Sequence, residues 1–411
     1  MERQLRGWLR YCVYFGIYVG VYEDTSATTI SETGGDTNNK IALCATQRCH
    51  GQRPQWYRGQ QNNKIFRQQR LYLWLLTLVL YTVYFLGLYT RSSYPGISWV
   101  AATILFTVHV LTMTLMMREA WCKQAQHDLF LQILEKIETA LRLRLRHNVQ
   151  SAQLLCDLRR LIVYLSVISA LGFALFALTT MWLSYVDYFW FGFWLIIIIR
   201  VRVIQLIVYL CILRHFLRCL CAQLRLIVAY HTARGHTILD VDGVHLRSLK
   251  CLLAVKEIYE LLHREFQLLN EFAGWSLFTS ISSYLLDAIC TLYWMLLSLD
   301  GFVRRRNYEI AGIFVLLPLA LFLWYLMFLC DNCKQLGRTV AHLLSKLILM
   351  SAKNPSLRLH RLLLYQFSAQ LQIQEIDVTA HNFFVLEMRF LIAICAVIVA
   401  NLVILLQILK S

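Results

Sequence analysis

The residues best suited to chemistry in this 411-residue chain are polar groups stranded in apolar runs. From Phe390 to Leu409 the sequence FLIAICAVIVANLVILLQIL carries no formal charge, and within it only Asn401 and Gln407 have strong hydrogen-bonding needs. At about 100° per residue, both amides lie about 60° from Ile404, with Ala400 and Ile408 about 40° from it, so one narrow helix face gathers them. An amide facing lipid lacks partners, which leaves two uses: glue between helices, or the wall of a wet passage. Asp287 is the other stranded group, near the middle of an apolar run where an unpaired carboxylate costs about 3 kcal/mol or more. Arg200 and Arg202, in a different apolar run, are its candidate partners, unless both stretch toward the membrane face.

Enzyme chemistry finds no comparable footing. His231 and His236 are five apart with no adjoining glutamate, so the zinc-protease pattern is absent. There is no glycine-rich phosphate loop and no G-x-S-x-G elbow. The 13 cysteines show no repeated spacing, and the pairs Cys44/Cys49 and Cys330/Cys333 lack the second pair or histidines of a zinc finger. They read as thiols in or near a membrane, some open to palmitoylation. The expectation is no enzyme, no metal and no cofactor. The net charge of +16 is spread between apolar blocks rather than gathered in one polar domain, which argues against nucleic acid.

The elements that must position these groups are membrane helices. With 58% hydrophobic residues and a mean hydropathy of +0.53, the chain falls in the polytopic membrane class. Seven apolar runs are long enough to span: Leu71–Thr90, Ile97–Met117, Leu161–Tyr185, Tyr188–Leu213, Trp275–Leu299, Ile310–Leu329 and Phe390–Leu409. The predicted fold is all-α with seven transmembrane helices. Residues 1–70 precede them, with a short interfacial helix near 8–22 and a polar, partly disordered stretch beyond it. Of the 40 Lys and Arg residues, 32 fall in 1–70, 118–160, 214–273 and 331–388, and five fall on the opposite side. The positive-inside rule then puts the N-terminus in the cytoplasm and the C-terminus outside. That is the reverse of a G-protein-coupled receptor. No Asp-Arg-Tyr follows the third span and no Asn-Pro-x-x-Tyr sits in the seventh.

The long segments on the basic side keep helical periodicity, as in Leu246, Leu249, Leu253, Ile258, Leu262, Phe266 and Leu269, so the spans are expected to continue as helices below the membrane. Gly235 to Gly243 is the expected turn between two of them, and Leu357 to Ile373 an amphipathic helix before the last span. Aromatic residues collect toward the outer ends of the spans: Trp99, Trp182, Tyr185, Tyr188, Trp190, Trp194, Tyr293, Trp294 and Tyr308. An interfacial belt accounts for such a set, and so does the lining of a pocket for a small organic ligand, with Asp287 beneath it.

Ala400-Asn401-Leu-Val-Ile-Leu-Leu-Gln407-Ile408 resembles the closing signature of insect gustatory receptors, Thr-Tyr, five apolar residues, then Gln-Phe. The glutamine and apolar block match, while Ala400, Asn401 and Ile408 replace Thr, Tyr and Phe. Thr379 to Leu386, a small residue followed by Phe383-Phe384 and aliphatics, is similar to that family's approach to its last span. The resemblance implies a plasma-membrane taste receptor of inverted seven-span topology, acting as a ligand-gated, non-selective cation channel. It further implies four subunits, as a homotetramer or a heteromer with related receptors, gathered on a cytosolic anchor that includes 331–388. The seventh helix, 390–409, would line the pore at Ala400, Asn401, Ile404, Gln407 and Ile408, and a tastant, bitter-type by elimination, would enter among spans two to six. Its partners are then a small organic ligand, permeant cations and membrane lipid. A seven-helix receptor signalling through a partner protein and a small-molecule transporter are the alternatives. The first requires an extracellular N-terminus, and the second internal repeats that are not visible here.

Overall fold

The computed structural model describes residues 2–18, 61–91, 97–145, 151–182, 189–232, 249–299, 308–351 and 360–410. In chain order its helices are α1 (Glu2–Tyr14), α2 (Gln61–Arg91), α3 (Ile97–Cys122), α4 (Gln124–Leu143), α5 (Ser151–Trp182), α6 (Phe189–Thr232), α7 (Leu249–Leu299), α8 (Tyr308–Ser351), α9 (Arg361–Ile373) and α10 (Met388–Lys410). Two short strands, β1 (Thr379–Ala380) and β2 (Phe384–Val385), form an antiparallel hairpin between α9 and α10.

Six described helices, α2, α5, α6, α7, α8 and α10, are long and apolar enough to cross a membrane. The remaining expected span is α3, whose last turns carry Arg118 and Glu119. At about 1.5 Å per residue, α6, α7 and α8 run about 65–75 Å, more than twice a hydrocarbon layer, so each continues well past its span as the periodicity requires. The charges of α7 are confined to its first half and to Asp287.

Burial sorts the helices by role. In α6 78% of the apolar window is buried, so its continuous apolar run is the hub of the core, packed on α8, α7, α3 and α5. In α10 the share is 6%, so an equally apolar helix lies at the edge of the subunit. The outward faces of α2 and α5, with Trp74, Leu78, Phe85, Tyr164, Leu171 and Leu178 exposed, suit lipid.

Several boundaries differ from expectation. The helix expected near 8–22 spans Glu2–Tyr14, and the chain then turns inward rather than lying on an interface: Leu9, Cys12 and Ile17 are buried in the main core. Gly16 makes that turn at φ +70°, and a Cβ there would meet Leu73 Cδ2 at 2.7 Å. The Tyr18 hydroxyl donates to Asp128 Oδ1 at 3.0 Å. The expected continuous extension over 118–160 is broken at Lys123, where α3 ends and α4 starts. The helix expected over 357–373 is described from Arg361 onward, and the turns at 94–96 and 235–243 lie outside the described residues.

At the junction of α4, α6 and α7, His127 is buried, stacked at 4.5 Å and 10° on Phe272, and shares a 2.6 Å hydrogen bond with the Tyr209 hydroxyl. Burial first, and the nearby Arg202 second, hold its imidazole well below the ordinary value of 6.5, so the folded protein keeps it neutral. Below that value the unfolded chain takes up the proton and the folded one does not, so this stability is complete above it and drains away as the pH falls. Thermal unfolding of the detergent-purified chain should therefore show a steeper loss between about pH 7.5 and 5.5 than the His127→Gln variant, by up to about 1.4 kcal/mol per pH unit.

Candidate functional site

The helix that carries the amide face starts from the hairpin. Thr379 pairs with Val385 and Ala380 with Phe384, and the turn places His381 (φ 49°) and Asn382 (φ 62°) in the left-handed region that asparagine tolerates. Leu386 N donates to Val378 O at 2.8 Å, closing the hairpin's base. Phe384 then stacks on Phe390 at 4.2 Å and 21°, fixing the first turn of α10, and Ile394 is buried one turn on.

Above that foot, α10 touches the rest of the chain along one flank. Leu402 and Leu405 pack against a second apolar cluster made of Leu105, Phe176, Cys290, Tyr293, Trp294 and Ala311. The opposite flank presents Ala400, Asn401, Ile404 and Gln407, with Ile404 at 53% exposure. Ile408 is helical, and its side chain lies outside the described residues. Asn401 Nδ2 donates to Val397 O at 2.8 Å, so part of its hydrogen-bonding need is met within the helix.

The aromatic set divides. Tyr293 and Trp294 are buried, at 8% and 4%, beside α10, α5 and α8, whereas Trp182 and Trp194 are exposed, as an interfacial belt requires. The structure therefore does not bring the second pair into a common lining with the first. Trp99, Trp190 and Tyr308 are helical with side chains outside the described residues, as are Tyr185 and Tyr188 altogether.

Asp287 has a partner, but not the one expected. His109 Nε2 of α3 shares a 3.1 Å hydrogen bond with its Oδ2, both residues being buried. Arg200 feels the charge of that carboxylate without a direct bond to it, and neither Arg200 nor Arg202 stretches to the membrane face; both are buried. Arg200 donates to Ser169 Oγ at 3.1 Å with its guanidinium carbon 4.0 Å from the Phe173 ring centre. Arg202 is paired with Glu119 (3.7 Å) and donates to Gln205 Oε1 (2.7 Å), Ser276 Oγ (3.2 Å), Phe272 O (3.3 Å) and Ile17 O (3.4 Å). Between the two charged sites the facing helices α3 and α7 share Thr112 and Ser283, whose hydroxyls are 2.6 Å apart. A polar seam therefore runs from His109–Asp287 down to Glu119–Arg202. Sequence reasoning missed Glu119 and His109; the available signal was that two buried arginines and one aspartate in apolar runs leave a positive charge uncompensated.

Among the described residues no three His, Cys, Asp or Glu side chains are grouped to hold a metal ion. Cys330 and Cys333 are free thiols buried in α8.

A family model described as 7tm Chemosensory receptor matches residues 48–409. The chain belongs to that family. The receptor is 28% identical to Gustatory receptor 23a of Drosophila melanogaster over 217 residues, 51% of each chain. It is 25% identical to Putative gustatory receptor 39b of the same fly over 223 residues, 54% of this chain and 59% of that one. The matched stretch thus spans between half and three fifths of the length of these curated relatives. In shape the receptor resembles the insect olfactory receptor OR5 from Machilis hrabei. The structure in complex with eugenol matches with a TM-score of 0.61 at 14% identity, covering 86% of this chain and 93% of that one. The structure described without eugenol gives 0.59 at 13%, covering 98% of both. At such identities the likeness is one of fold. The receptor is accordingly a multi-pass plasma-membrane protein of the chemosensory-receptor family.

Leaving one member of a buried hydrogen-bonded pair without its partner costs about 1–3 kcal/mol. Asp287→Ala and His109→Ala should each lower the thermal stability of the purified receptor by that order, and the double variant by clearly less than their sum.

Proposed function

We propose that this receptor is a ligand-gated, non-selective cation channel for small organic, bitter-type tastants, in which α10 from each of four subunits lines one central pore. The observation that carries this reading is the two-sidedness of α10. One flank packs Leu402 and Leu405 onto a buried aromatic cluster, while the other leaves two amides and Ile404 uncovered. A helix facing lipid on that side has no use for a glutamine. Four such helices around an axis give each amide water and neighbouring subunits, with Ile404, Gln407 and Ile408 as a partly hydrophobic constriction and Asn401 and Ala400 beneath it.

The proposed ligand site is the cluster on which α10 leans. Tyr293 and Trp294 form its wall and Asp287 its polar floor, while the exposed Trp182 and Trp194 stay outside it as part of an interfacial belt. OR5, of similar fold, is described in complex with eugenol, a small aromatic molecule, which supports this ligand class. Because Leu402 and Leu405 touch the same cluster, a ligand that repacks it favours one arrangement of α10 over another, which is what gating requires. The lower halves of α6–α8, with α4, α9 and 331–388, are the proposed cytosolic anchor, and the subunits assemble as a homotetramer or with related receptors.

Whole-cell recording of the expressed receptor tests this reading. Gln407→Ala should change relative cation permeability or half-maximal ligand concentration by about threefold or more at equal surface amount, whereas an unchanged current removes α10 from the pore. Epitope tags should be accessible in unpermeabilised cells at the C-terminus only; an accessible N-terminus favours instead a receptor that signals through a partner protein.

A further inference from the structure

In a regular helix Trp275 N bonds to Glu271 O, and Ser276 N to Phe272 O. In α7 all four of these groups are also engaged by charged side chains from two other helices and the turn after α3. Glu119 of α3 takes Trp275 N on Oε1 and Ser276 N on Oε2, each at 3.0 Å, and the Ser276 hydroxyl as well. Lys123 donates to Glu271 O, and Arg202 of α6 to Phe272 O at 3.3 Å. Side chains inserted into the ladder are one of the few physical causes of helix bending. The inserted stretch also contains Gly274, the poorest helix former after proline.

The hairpin is fastened to this same stretch. A Cβ on Gly274 would lie 3.0 Å from His381 N and 3.1 Å from its Cα, so the glycine is what allows the turn to approach. The Asn270 side chain acts as a short strand, its Nδ2 donating to Asp377 O and its Oδ1 accepting from Thr379 N, each at 3.0 Å. The Trp275 ring lies 4.3 Å from His381, and Phe278 lies 5.0 Å from Phe383. From the hairpin the Phe384–Phe390 stack leads directly into α10.

We propose that Glu119 builds a pivot into α7 at residues 271–276, and that this pivot sets the position of the pore helix through the hairpin. Glu119 is then a positioning residue. It lets the intramembrane half of α7, which bears the ligand cluster, tilt against the cytosolic half, and the hairpin delivers that tilt to the foot of α10. The coupling rests on the channel reading, whereas the pivot stands on bond geometry alone.

Two measurements separate these. In hydrogen–deuterium exchange on the full-length purified receptor, Glu119→Gln offers one acceptor where two amides need them. The backbone amides of 273–278 should exchange about tenfold faster than in wild type, with α6 unchanged. Unchanged exchange overturns the pivot. In whole-cell recording, with whichever of quinine, caffeine or denatonium gives the largest wild-type current, Glu119→Gln and Asn270→Ala should each shift the half-maximal concentration about fivefold at equal surface amount. Asn270→Ala should do so without speeding exchange in α7. Faster exchange in Glu119→Gln, together with wild-type gating in both variants, overturns the coupling. A wild-type receptor silent to all three compounds ends the channel reading and the coupling with it, while exchange still decides the pivot. Should Glu119→Gln fail to reach the surface, Ser276→Ala removes one of the bonds that hold the Glu119 carboxylate against α7 and is read the same way.

Discussion

A guanidinium enclosed in an apolar core is the constraint around which this receptor is built. Arg202 is 1% exposed, and an ion taken out of water costs several kcal/mol unless its protons are all met. Glu119 supplies the countercharge, but the geometry is completed by groups from α6, α7 and the turn after α1. Four separate stretches of chain are therefore held in register by one side chain. The same logic repeats on a smaller scale at His109–Asp287, so the interface of α3 and α7 is polar at both ends with hydroxyls between. A greasy interface of that length would slide; a seam with directional bonds at fixed heights does not.

Two kinds of surface follow from this arrangement. The interior of α6 is closed and specified by contacts within the chain, whereas α10 is held at its foot by the hairpin and along one flank by two leucines. Rigidity is concentrated where the charges are, and freedom where the amides are. That distribution suits a molecule that must respond to small chemicals without unfolding.

Much of the helical layout was legible in the sequence, because apolar runs about twenty residues long and a 3.6-residue period arise from few structures besides membrane-crossing and amphipathic helices. The helical rotation that gathers Asn401, Ile404 and Gln407 on one face was legible as well, and all three are exposed in the subunit, as is most of α10. What could not be read were pairings across long separations. Asp287 stood out as a buried charge, yet its partner lies 178 positions away in a helix where a single histidine draws no attention. Glu119 has the sequence context of an ordinary charge at a membrane boundary, and only the fold brings Arg202 beside it. The hairpin escaped because its strands are two residues long, below any periodic signal, and depend on Asn270 for their bonding. The aromatic set misled in part, since composition alone does not separate an inward Trp294 from an outward Trp182.

The Ile17 carbonyl that accepts from Arg202 is 185 positions upstream of it, and the adjacent Tyr18 hydroxyl donates to Asp128, 110 positions downstream. At ordinary ribosomal speeds the leading turn emerges roughly 10–40 s before the arginine it must meet. During that interval the amphipathic α1 and the turn that follows it have no α6 to pack on. Seating Arg202 thus joins the turn after α1 to a helix synthesised long after it.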